Sequence, residues 1–159
     1  MIWAAIGLEV KTPLVFIERD TDSIRNGFTA QSYLSALEEG LIPVYSPGRL
    51  FQQDNARIHL ASLVQDWFET HGVWVIKWPA CSPDLNPIEH AWKALKQQLY
   101  TLYPNLDELK NNEADLMVLR ARIEEAWERV DQRLIRRLVA SILKRLRACK
   151  RAGGWYIKY

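Results

Sequence analysis

Trp78-Pro79-Ala80-Cys81-Ser82-Pro83-Asp84-Leu85-Asn86-Pro87-Ile88-Glu89-His90-Ala91-Trp92 is the most tightly constrained segment of the chain, and the fold is read outward from it. Each of its three prolines bars the preceding residue from αR geometry, which predicts a rigid, extended path. Pro87 suits the first position of a helix, where its missing N–H costs nothing. Asn86 is a good N-cap, and Glu89 falls three residues later, at capping-box spacing. Glu89 therefore emerges from the first turn of a helix with a well-fixed entry. Two readings of its carboxylate stand side by side: it caps its own helix, or it is held there for chemistry.

A second stretch, Leu50-Phe51-Gln52-Gln53-Asp54-Asn55-Ala56-Arg57-Ile58-His59, bears on that choice. Here an apolar strand ends on an acid just before a helical pattern begins. Asp is a common turn and cap residue, so Asp54 alone decides nothing. Taken together, Asp54-Asn55-Ala56 and Ser82-Pro83-Asp84-Leu85-Asn86-Pro87-Ile88-Glu89 resemble the second and third catalytic motifs of the Tc/mariner superfamily of DDE transposases. Between the two acids lie 34 residues, the spacing of that superfamily, and Glu at the third position resembles its Tc branch.

The resemblance implies an α/β, ribonuclease-H-like fold: a mixed sheet flanked by helices, with a helical C-terminal extension. The implied activity is metal-dependent DNA cleavage and strand transfer in transposition. Asp54 and Glu89 would be catalytic, each holding one of two Mg²⁺ or Mn²⁺ ions, with Asn55, Asp84, Asn86 and Pro87 as motif support. The partners would be transposon-end and target DNA, with TA as target dinucleotide, and the compartment the nucleus. The chemistry agrees with the residue types, since hard divalent ions favour carboxylates and two-metal phosphoryl transfer sets the ions about 4 Å apart.

Size and composition bound the rest. A chain of 159 residues, 48% hydrophobic and 25% charged, reads as one globular domain with a sizeable core. Cys81 and Cys149 show neither metal-ligand spacing nor a disulfide framework, which points to a reducing, intracellular setting. The N-terminus has no basic region and meets Glu9 and Lys11 early, so neither a signal peptide nor a membrane span is expected, and no small-molecule cofactor is implied. His59, His71 and His90 form no HxH or HExxH pattern, which argues against zinc. Charge is uneven: Gln132–Tyr159 holds nine Lys/Arg and no acid, against a net charge of +2 for the whole. Such a tail either meets a polyanion or is a solvated helix face. Lys93, Lys96, Arg136, Arg137, Lys144, Arg145 and Arg147 are the candidate DNA contacts.

In chain order, Ile2–Glu9 and Pro13–Glu18 predict a hairpin around Val10-Lys11-Thr12. Arg19–Phe28 reads as a polar connection with an Asn26-Gly27 turn, its Asp20 and Asp22 solvated. Thr29 can cap a helix from Ala30 to about Gly40. Arg49–Gln53 is the strand that delivers Asp54, and Arg57–His71 a helix closed by Gly72. The apolar run Val73–Trp78 predicts a central, buried strand, and Pro87–Tyr100 the helix bearing Glu89. Helical periodicity from Glu113 to Cys149 predicts two helices with a break near Asp131-Gln132. The tail Ser141-Ile142-Leu143-Lys144-Arg145-Leu146 and Gly153-Gly154-Trp155-Tyr156-Ile157-Lys158-Tyr159 resembles the end of Tc-type transposases. Leu143 stands where that pattern often has Pro, so the helix is expected to run on unkinked.

These expectations divide the chain into residues 1–110, a partial catalytic domain, and 111–159, its basic helical extension. By the resemblance the first strand and its metal-bridging Asp should lie before Met1, since Glu9 and Glu18 sit in no such motif. A chain lacking that carboxylate is expected to be inactive, with an exposed sheet edge that favours a homodimer. The alternative is a non-catalytic DNA-binding or protein-interaction domain derived from a transposase.

Overall fold

The computed structural model describes residues 1–23 and 26–158. Ile24 and Arg25 of the expected polar connection, and Tyr159 of the tail motif, lie outside the described residues. The chain forms two compact units: Met1–Ala5 with Leu14–Ser82, and Ile6–Pro13 with Pro83–Tyr159.

In the first unit, β1 (Ile2–Trp3) pairs antiparallel with β2 (Val15–Phe16), and β3 (Leu50–Phe51) pairs parallel with β4 (Trp74–Val75). Helix α1 (Ala30–Gly40) opens as expected. The Thr29 hydroxyl accepts from Ser32 N–H, and the Ser32 hydroxyl accepts from Thr29 N–H, a reciprocal capping box. Asp20 is not merely solvated. One carboxylate oxygen accepts from the Asp22 and Ser23 amides, and the other from the Thr29 hydroxyl, so it organises the turn before α1.

The α1 face Tyr33, Leu34 and Leu37 is buried, as its 3.6-residue spacing requires. It packs in one core with Val64, Trp67 and Phe68 of α2 (Ser62–Thr70), with Val15 and Ile17, and with Val73. Burying a side chain such as Leu37 contributes about 1.5–3 kcal/mol. Gly72 follows α2 with φ +61°, the left-handed geometry of a helix stop.

The strands are shorter than the apolar runs implied. Leu50 and Trp74 are register partners in β3–β4 and are 64% and 61% exposed, so β4 is not the buried central strand its composition suggested. As register partners they share one, largely exposed, sheet face. The path through Pro79, Pro83 and Pro87 is not simply extended either. Turns form at Ala80-Cys81 and Pro83–Leu85, because the prolines restrict only Trp78, Ser82 and Asn86. Cys81 takes a positive φ of 53°, uncommon for a residue with a Cβ.

In the second unit the expected hairpin turns earlier than Val10-Lys11-Thr12, through Gly7–Val10. Helix α3 (Ile88–Leu102) buries Ala91 and Leu95, and its Trp92 ring lies 5.3 Å from that of Trp127 in α4 (Glu113–Glu128). Trp127 is fully sequestered and donates its indole N–H to the Thr12 carbonyl at 2.7 Å. Lys11 closes the end of α4, donating to the carbonyls of Trp127 and Val130 at 2.8 Å each, where a cation meets the negative end of the helix dipole. Its partial burial lowers its pKa, opposed by the charges of Glu128 and Asp131.

The break at Asp131 occurs: its carboxylate accepts from Arg133 N–H and caps α5 (Gln132–Ala140). A second interruption falls at Ser141, between α5 and α6 (Ile142–Arg151), although Ser141 itself keeps helical φ and ψ. No proline is needed there, because the Ser141 hydroxyl donates to the Leu138 carbonyl at 2.6 Å and competes with the helical ladder. Among the described residues no helix is long and apolar enough to cross a membrane.

Gly40 supplies a direct test of the first unit's packing. A Cβ there would stand 2.8 Å from Trp3 Cε3, nearer still to Cζ3, and 3.1 Å from Val15 Cγ2. Gly40→Ala should destabilise the first unit by ~1–3 kcal/mol, the cost of overpacking, read as a lowered urea midpoint with unchanged slope.

Candidate functional site

Asp54 is delivered by β3 into a loop that its own neighbours hold. The side-chain amide of Asn55 donates to the Trp78 carbonyl at 2.8 Å, tying this loop to the segment after β4. Oδ1 of Asp54 accepts from Ala56 N–H at 3.0 Å and lies 2.6 Å from His59 Nδ1. Among the described residues Oδ2 receives no hydrogen bond, and the side chain is 62% exposed. One oxygen thus fixes the carboxylate.

His59 explains why α2 begins at Ser62 rather than Arg57. Its ring lies on Asp54 and against the Tyr33 ring, with centroids 4.3 Å apart. Its carbonyl is taken by the side-chain amides of Gln65 at 2.8 Å and Gln53 at 3.5 Å. Those contacts hold residues 57–60 in turns and not in a helical ladder. Spacing argues against His59 as a zinc ligand and leaves it a structural or exposed histidine, whereas the structure makes it the partner that orients Asp54. The five-residue separation of Asp54 and His59 was the available signal. Among the described residues no group of three or more His, Cys, Asp or Glu gathers as a metal cluster.

Glu89 resolves its two readings. Asn86 N–H, which a capping box would turn toward Glu89, donates instead to the Pro83 carbonyl at 3.1 Å. The Asn86 side chain caps alone, accepting from Ile88 N–H at 3.4 Å, and Pro87 already has helical φ and ψ. The Glu89 carboxylate accepts no hydrogen bond among the described residues and is exposed. Self-capping is therefore not its use. Asp84, five residues earlier, is tied into the fold: its carbonyl accepts from Arg145 Nη1 at 2.7 Å and its Oδ2 from Ile157 N–H at 2.9 Å.

Of the candidate phosphate contacts, Lys93, Lys96, Arg137, Lys144 and Arg147 are exposed. Arg136 is exposed but spends its guanidinium on Glu9 and the Leu8 carbonyl. Arg145 is a correction: at 1% exposure, bonded to Asp84 and to Ser141 Oγ, it does not face a DNA backbone. Helical periodicity placed it among basic neighbours, but only the packing of α6 shows that it points inward. Nothing in the sequence pattern flagged it as the partner of Asp84.

With these features in place, the chain belongs to the DDE superfamily endonuclease family, whose model matches residues 5–110, in its Tc/mariner branch. It is similar to the Tc1 transposase of Caenorhabditis elegans, 29% identical over all of this chain and 54% of that protein. It is likewise similar to the Tc3 transposase of Caenorhabditis elegans, 31% identical over all of this chain and 45% of that protein. The Tcb1 transposase of Caenorhabditis briggsae is 34% identical over 69% of this chain and 37% of its own length. The chain thus spans about half the length, or less, of the curated relatives it matches. Among solved structures, the Mos1 transposase catalytic domain with Raltegravir and Mg superposes with a TM-score of 0.62 at 24% identity, over 82% of this chain and 65% of that one. The Mos1 strand transfer complex gives 0.65 at 21%, over 95% of this chain and 42% of that one. The fold is the mixed α/β, ribonuclease-H-like one expected.

Tyr33, beneath His59, offers a pH test of the Asp54 side. Its hydroxyl donates to Gln53 Oε1 at 2.6 Å, and burial, helped by the Asp54 charge, raises its pKa well above the usual 10.0. A raised pKa contributes stability that is complete below pH 10.0 and is lost as pH rises toward the folded-state value. Tyr33→Phe should flatten this alkaline fall in the thermal midpoint, while costing about 1 kcal/mol at neutral pH through the lost hydrogen bond.

Proposed function

We propose that this chain supplies two of the metal-holding carboxylates, Asp54 and Glu89, of a transposase that cuts and rejoins DNA. The observation that carries the reading is that Asp54 Oδ2 and the exposed Glu89 carboxylate accept no hydrogen bond among the described residues. Their donor set fits hard divalent ions such as Mg²⁺ or Mn²⁺. When bound, such ions lower the pKa of the attacking water or 3′-hydroxyl and offset charge on the leaving oxygen. The chain's own part is placement. Asn55 and His59 hold Asp54 in one orientation, and Asn86 with Pro87 starts α3 without drawing on Glu89. Exposed Lys93 and Lys96 on α3, and Arg137, Lys144 and Arg147 in the 111–159 extension, would neutralise DNA phosphates. The substrates on this reading are transposon ends and target DNA, handled in the nucleus.

A second reading, a non-catalytic DNA-binding domain, is favoured by the run of exposed basic residues on α5 and α6 with no acid after Asp131. One experiment separates the two. Mn²⁺ binding and plasmid nicking would be followed for the wild type, Asp54→Asn and Glu89→Gln. The catalytic reading expects each substitution to cut nicking by roughly three orders of magnitude, the several kcal/mol such charge stabilisation supplies. Salt-sensitive DNA binding that ignores Mn²⁺ and both substitutions would leave only the second reading standing.

A further inference from the structure

We propose that Arg145 is a positioning residue for Glu89, clamping the loop that presents it. This rests on the reading of Glu89 as a metal-holding carboxylate, and every residue it uses lies in the second unit. The loop cannot place Glu89 by itself. Pro83 and Pro87 have no N–H, and its local hydrogen bonds are few: Asn86 N to Pro83 O and His90 N to Pro87 O at 3.1 Å each, with weaker contacts from Glu89 N to Asn86 O at 3.3 Å and Ile88 N to Asn86 Oδ1 at 3.4 Å.

What the loop lacks locally arrives from α6. The Arg145 guanidinium, 1% exposed, donates through Nη1 to the Asp84 carbonyl at 2.7 Å and through Nε to Ser141 Oγ at 2.9 Å. Its Nη2 lies 3.4 Å from Nδ1 of His90, the residue after Glu89. One planar group therefore grips the loop both before and after Glu89. The tail adds a second hold, because Ile157, itself buried, donates its N–H to Asp84 Oδ2 at 2.9 Å. Arg suits this place where Lys does not: its rigid fork serves three acceptors in fixed directions. A buried guanidinium is costly unless its donors are met, so the bonds to the loop are part of what keeps α6 in place.

The test is amide hydrogen exchange and Mn²⁺ titration on the whole chain, comparing wild type with Arg145→Met, Arg145→Lys and Asp84→Ala. Arg145→Met should speed exchange at Leu85–Trp92 by about tenfold or more, the worth of one buried charge-assisted bond, with α4 unchanged. Arg145→Lys should restore part of the protection. Asp84→Ala leaves the Asp84 carbonyl for Arg145 and removes only the tail's hold, so it keeps the test open if Arg145→Met fails to fold. It should loosen the same residues to a smaller degree. Mn²⁺ affinity should fall in Arg145→Met to that of Glu89→Gln, and the double variant should fall no further, because both act at one point. Unchanged exchange at Leu85–Trp92, or uniform acceleration through α3 to α6, would overturn the clamp. Additive losses in the double variant would show that Arg145 does not act through Glu89. Failure of the wild type to bind Mn²⁺ would instead overturn the metal reading, with the exchange data still deciding the clamp.

Discussion

A carboxylate that is to hold a cation must first be relieved of its ordinary duties in local structure, and on the reading proposed for Asp54 and Glu89 each unit meets that constraint. Acids at strand ends and helix starts are usually consumed as turn or cap residues. Here the cap of α3 is made by Asn86, whose own N–H goes to Pro83, so Glu89 stands in the first turn with nothing to satisfy. At Asp54 the duty is divided. One oxygen serves Ala56 and His59, and the other is left over.

Releasing a carboxylate from local hydrogen bonds also removes what would hold it still, and the two units replace that support differently. In the first, the support is short in range: His59 sits five residues from Asp54, braced against Tyr33 and by Gln53 and Gln65. In the second, it is long in range. Arg145 and Ile157 reach Asp84 across 61 and 73 residues of sequence. The frame they act from is itself tied at a distance, by Trp127 on the Thr12 carbonyl and by Lys11 on the end of α4. Buried donors and acceptors of this kind are costly to leave unmet, so each bond specifies a position as much as it stabilises one.

Much of this architecture is legible in the order of the residues. The Thr29 cap, the stop at Gly72, the break at Asp131 and the helix bearing Glu89 all follow from local chemistry, as does the family through its two acidic motifs. Less legible are features in which two local preferences compete. Residues 57–61 have helical periodicity, yet His59 prefers Asp54 and Tyr33, and the helix waits until Ser62. Ser141 has nothing in its type that demands a break, but its hydroxyl takes a helix carbonyl and receives Arg145.

Residue types and their near neighbours are therefore enough to give the family and the two acidic motifs that carry it: which acids, at what spacing, on which kinds of element. At that range bonding is local and the backbone has few choices. Long-range packing, and nothing short of it, settles which charges face water and which turn inward. Arg145 and Lys144 are adjacent and alike in charge, yet one is buried against Asp84 and the other is exposed. A helix turns about 100° per residue, so which of two neighbours meets the core depends on where the helix lies, and that is set by partners far away in the chain.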